Sequence, residues 1–102
     1  MSNFRDRNDI ARLKKSIDPI QFYHEEGQEV NTSGRNNWRL AGICPFHEDQ
    51  EAGSFFIHSE TGAYKCFSCG ITGGDIISFL MQKHGLSFKE TLHRLQRLGG
   101  ER

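Results

Sequence analysis

Two short ligand pairs constrain this chain more than anything else in it: Cys44-Pro45-Phe46-His47 and Cys66-Phe67-Ser68-Cys69. Each pair has the two-residue gap of a metal knuckle, a tight turn in which two side chains can face one ion. Three thiolates and one imidazole suit tetrahedral Zn²⁺. The chain has 3 cysteines and the pairs use all of them. An odd number cannot close a disulfide framework. Four protein donors, Cys44, His47, Cys66 and Cys69, would fill the tetrahedron. No position is then open for water or substrate, so the reading is one structural zinc. Two competing readings are a redox Cys66–Cys69 pair and His58 as a substitute ligand. A redox pair normally opens a helix in a βαβ setting. Cys66 instead follows a strand candidate, and the loop Gly70–Gly74 delays the next helix.

The rest of the chain reads as one α+β domain over residues 1–102, with 35% hydrophobic residues and a thin core that a metal would help to hold. Residues 1–33 are expected to carry N-terminal helices, 34–74 the zinc ribbon and 75–102 C-terminal helices. Ile10, Leu13 and Ile17 share one helical face. Asp18-Pro19 restarts the pattern, with Asp as cap, Pro at the first position and Gln21 where a capping box needs it. Ile20 with Tyr23 or Phe22 would turn inward. Asn31–Gly34 has turn composition. Residues 38–43, 54–58 and 63–67 read as strands of an antiparallel sheet of three or more, with Glu60-Thr61-Gly62 as a hairpin turn. Trp38 and Leu40 share a face, and only one of Phe55 and Phe56 can face inward. Asp75 caps a helix that Gly85 stops, and Ser87-Phe88-Lys89-Glu90 is a capping box for a last helix with Phe88, Leu92 and Leu95 inward.

The Cys-Pro-Phe-His knuckle, the Ser-Phe strand, Cys-Phe-Ser-Cys-Gly and the Gly-Gly-Asp before an Ile/Phe-rich helix together resemble the zinc-binding domain of bacterial-type DNA primases. Asp18-Pro19-Ile20, Gly34-Arg35-Asn36 and Gly85-Leu86-Ser87-Phe88 resemble its flanks, so the likeness covers almost the whole chain. It implies a zinc ribbon that contacts single-stranded DNA template and helps choose where an RNA primer begins. In that family the primer is made by a separate Toprim-containing catalytic domain that uses Mg²⁺. These residues offer no such domain, so the chain is expected to have no catalytic residues of its own. It would work in cis within a longer primase, or in trans with a catalytic partner. A replicative helicase is a further implied partner.

The chain departs from the family after His47, where a basic stretch gives way to Glu48, Asp49 and Glu51. The formal net charge is +0, so no global basic excess draws phosphate. Arg35, Arg39 and Lys65 with Trp38 and Tyr64 could supply cations and stacking rings for a single strand if they shared one exposed sheet face. Trp38 and Arg39 are adjacent on a strand and point to opposite faces. The basic residues of the last helices read as a solvated face. The acidic ribbon supports an alternative, a zinc-ribbon adaptor that docks on a replication protein without binding DNA. No secretory h-region and no membrane-length apolar run is present, so a cytoplasmic setting is the expectation.

Overall fold

Asp18-Pro19 splits the N-terminal segment into α1 (Arg7–Lys15) and α2 (Pro19–Glu25) in a computed structural model that describes residues 7–48 and 52–100. Pro19 occupies the start of α2, and the Asp18 carboxylate accepts the Gln21 N–H at 3.1 Å. Gln21 does not close the box; its side-chain amide donates to Glu25 at 3.0 Å. Both Phe22 and Tyr23 are buried. Burial drives the Tyr23 phenol above its usual range. It therefore stays protonated and donates to the Gly62 carbonyl at 2.7 Å, tying α2 to a ribbon turn.

Five antiparallel strands follow in simple meander order: β1 (Val30–Arg35), β2 (Trp38–Ala41), β3 (Phe55–His58), β4 (Tyr64–Cys66) and β5 (Thr72–Gly73). Asn31–Gly34, expected as a turn, belongs to β1. The turn falls later, at Asn36-Asn37, with φ of 53° and 68°. Two successive positive φ values make the tight hairpin whose twist matches its strands, and Asn tolerates that conformation. Pairing of Gly34 with Arg39 and of Arg35 with Trp38 thus overrides local turn composition. β2 is also shorter than expected. It stops at Ala41, and the buried Gln28 amide donates to the Ala41 and Ile43 carbonyls at 2.5 and 2.8 Å.

Alternation sets the two faces of the sheet. Phe55, Ile57, Tyr64 and Cys66 are fully buried on one, while Phe56 and Lys65 pair on the other. The buried face joins residues of α1, α2, α3 (Ile76–His84) and α4 (Phe88–Leu95) in one core. Phe79 of α3 is its centre, with the rings of Tyr23, Phe46, Tyr64, Phe22 and Phe55 4.8–6.4 Å away. Asp75 caps α3 by accepting the Ser78 N–H at 2.9 Å, and Gly85, at φ 66°, ends it. The Ser87–Glu90 capping box forms in both directions, at 3.1 and 2.9 Å. Phe88, expected inward, is 46% exposed. It precedes the face formed by Thr91, Leu92 and Leu95, which is the one that meets the core. Past α4 the chain makes a π-helical turn over Gln96–Gly100. No helix among the described residues is long and apolar enough to cross a membrane.

Glu26 joins three helices. Its carboxylate lies 3.1 Å from Lys83 Nζ, 2.9 Å from His84 Nε2 and 3.8 Å from Arg94, with the side chain 8% exposed. Burial works against its charge, but hydrogen bonds from His84 and Lys83 outweigh it and hold the carboxyl below its usual range. The sign follows from linkage. Stability from Glu26 is complete above the unfolded carboxyl value of roughly 4.3 and fades as pH falls through the lower folded value. Glu26→Gln is expected to cost about 1–3 kcal/mol near neutrality. In thermal unfolding, the Tm gap between wild type and variant should narrow as pH falls below about 4. A gap that does not change with pH would contradict this.

Candidate metal centre and the open sheet face

The knuckles stand at the ends of β2 and β4. Past Ala41 the chain turns through Gly42, at φ 72°, and enters Cys44. The Phe46 N–H donates to Cys44 Sγ at 3.4 Å. Cys66 closes β4, and Gly70, at φ 83°, donates its N–H to the Cys66 carbonyl at 2.9 Å, folding Cys69 back beside Cys66. The four donor atoms of Cys44, His47, Cys66 and Cys69 lie within 4.8 Å of one another. Cys44 and Cys69 sulfurs are 4.0 Å apart. A disulfide needs about 2.05 Å. Zn–S bonds of about 2.3 Å place tetrahedral neighbours about 3.8 Å apart. The cysteines are unbridged, and the Cys44–Cys69 spacing is that of two ligands of one ion.

The thiols differ. Burial pushes the Cys44 thiol up to about 12. Burial also opposes ionisation of Cys66, but the N–H groups of Cys69 and Ser68 outweigh it and bring that thiol down. N–H groups aimed at sulfur also favour the thiolate that a metal requires. His58 stands apart from the cluster. Its Nδ1 accepts the Glu60 and Thr61 N–H groups at 3.2 and 3.1 Å, so it braces the β3–β4 turn.

The residues singled out for nucleic acid divide between the two faces. Arg35 pairs with Trp38, Trp38 with His58 and Phe56 with Lys65, all on the face turned away from the core. Phe67 joins them, 67% exposed, with its ring 5.6 Å from Phe56 and Lys65 Nζ 4.9 Å above it. Tyr64 is on the other face, fully buried, with its hydroxyl bonded to Ser78 and Gln82. Arg39 pairs with Ile57 on that same inner side, and its Nη1 donates to the Trp38 carbonyl at 3.2 Å. An exposed face shared by all five residues therefore does not exist. Alternation along β2 and β4 separates Trp38 from Arg39 and Lys65 from Tyr64. Phe56 and Phe67 are the rings that lie beside Trp38 on the outer face. Of the acidic residues after His47, Glu48 is exposed, while Asp49 and Glu51 lie outside the described residues, as do Glu101 and Arg102.

A closed Cys₃His site clamping an antiparallel meander defines a zinc ribbon with one structural zinc. The chain belongs to the CHC2 zinc finger family, whose model matches residues 5–100. It is 35% identical to a DNA primase of Thermotoga maritima over 94 residues, covering 92% of this chain and 16% of that one. It is 37% identical to a DNA primase of Helicobacter pylori over 89 residues, covering 87% and 15%. The fold is similar to a crystal structure of the Aquifex aeolicus primase comprising its zinc-binding and RNA polymerase domains. The TM-score is 0.72 at 28% identity, with 100% of this chain and 23% of that chain covered. The chain thus spans a small part of the length of these relatives, and the likeness read from the knuckles extends to the whole fold.

Proposed function

We propose that this domain binds single-stranded DNA template for a primase and helps select where primer synthesis starts. Primer synthesis itself is supplied by a Toprim-type catalytic domain, in cis or in trans. The observation that carries the reading is the open sheet face, where Arg35 and Lys65 flank Trp38, Phe56 and Phe67. Cations along a strand's backbone and rings beneath its bases are what non-duplex nucleic acid requires. That the relatives are named DNA primases supports the same assignment. The acidic residues after His47 bear on where DNA is held. A strand on the open face is gripped by Arg35 and Lys65, not by the loop of the first knuckle.

Titration of labelled single-stranded DNA with zinc-loaded protein at several salt concentrations tests this. Two phosphate contacts give a slope of about −1.4 in log affinity against log salt, and Arg35→Ala or Lys65→Ala each reduces it by about 0.7. Tyr64→Phe should leave affinity unchanged, because the hydroxyl it removes faces away from the strand. Absence of binding at low salt, where electrostatics are strongest, would instead favour a protein-docking adaptor.

A further inference from the structure

The open face is not flat. Arg35, Asn36, Trp38, Phe56, Lys65 and Phe67 line a cleft of 390 Å³. That is near the lower end of small-ligand pockets, roughly 300–1,000 Å³. Rings stand on both sides. Trp38 is backed by His58, edge to face at 5.1 Å, and His58 is itself fixed by the two N–H groups its Nδ1 accepts. Opposite, Phe56 and Phe67 meet at 79° and Lys65 covers Phe67. Among the described residues, the cations lining the cleft are Arg35 on β1 and Lys65 on β4. Those strands are three spacings apart, about 14 Å. Long side chains leaning inward from both sides can reach the phosphates that flank a nucleotide seated between them.

We propose that the cleft seats one unpaired base of a DNA strand, with its two flanking phosphates on Arg35 and Lys65. This rests on the template-binding reading and sharpens it. The recognition footprint is a single base, not a run of stacked ones.

Trp38 is the only tryptophan, so its fluorescence reports on the cleft. Zinc-loaded protein would be titrated with three DNA strands of about ten nucleotides. One is all thymidine, one all abasic, and one abasic except for a central thymidine. The single-base strand is expected to quench Trp38 and to bind within about tenfold of the all-thymidine strand, the factor that its roughly ten equivalent registers supply. The all-abasic strand should bind about 5- to 150-fold more weakly. Phe67→Ala should shrink the gap between single-base and abasic strands, and its exposed position keeps the variant folded. Affinity that climbs more steeply than the number of bases restored, beyond the gain from equivalent registers, would overturn the single-base footprint while leaving template binding intact. Equal binding of abasic and all-thymidine strands would overturn stacking in the cleft. Tight binding of the matching RNA strand with weak binding of DNA would overturn the occupant. If no strand binds at all, the template reading fails, and the cleft assignment with it.

Discussion

Stripping zinc from this domain is expected to unfold its sheet. The two knuckles lie in segments with little regular structure to hold them. Residues 42–54 join β2 to β3 with no helix or strand among the described positions, β4 has three residues and β5 two. Structural zinc sites contribute roughly 10–16 kcal/mol at neutral pH. The net stability of a chain this size is about 5–15 kcal/mol. The two figures are of the same size, so loss of the metal removes about as much free energy as holds the ribbon folded. Cys66→Ser and Cys69→Ser, or a strong chelator, should collapse amide dispersion in the ¹H–¹⁵N spectrum, and zinc should restore it after chelation. A metal-free protein that keeps native dispersion would show that the core suffices alone.

Phe79→Ala should be the most damaging substitution outside the metal site. The Phe79 ring is fully buried and meets five other aromatic rings, from α2, the first knuckle, β3 and β4. No neighbour can collapse into its place without abandoning its own contacts, so most of the cavity persists. Removal of a buried Phe costs about 3–5 kcal/mol, which lowers the Tm of a domain this size by more than about 10 °C. Phe46 couples the two effects. It sits between Cys44 and His47 and stacks on Tyr64 at 5.6 Å, so a loosened core also loosens the first knuckle. Phe79→Ala should therefore weaken zinc affinity as well as lower Tm, whereas exposed Phe67→Ala should stay within about 0.5 kcal/mol of wild type. Thermal unfolding of zinc-loaded variants measures both. A Phe79→Ala penalty below about 1 kcal/mol would contradict this core.

What the sequence revealed of this fold followed from how local each signal is. The Cys44–His47 and Cys66–Cys69 spacings, the Asp18 and Asp75 caps and the Ser87–Glu90 box are each set within a few residues, and each could be read directly. The face assignment could not. Alternation says that Trp38 and Arg39 point apart, yet which of them meets the helices depends on pairing Arg39 with Ile57 across the sheet. The same register puts Tyr64 inside and Phe56 outside. Asn31–Gly34 misled because its composition is that of a turn while its partner strand holds it extended. Phe67 is the functional candidate that sequence reasoning passed over. Its signal was position: residue two of a knuckle whose flanking cysteines face the metal, so a large apolar side chain there points to solvent.

The open sheet face, not the helices or the acidic loop, is proposed to receive single-stranded DNA. Amide and side-chain chemical-shift mapping on the zinc-loaded protein during titration with a single strand tests it most directly. Perturbations are expected to concentrate at Arg35, Asn36, Trp38, Phe56, Lys65 and Phe67, with Tyr64 and the α3–α4 surface little changed. Perturbations centred on Arg94 and Arg97 of the C-terminal helical region, or none at saturating DNA, would contradict it.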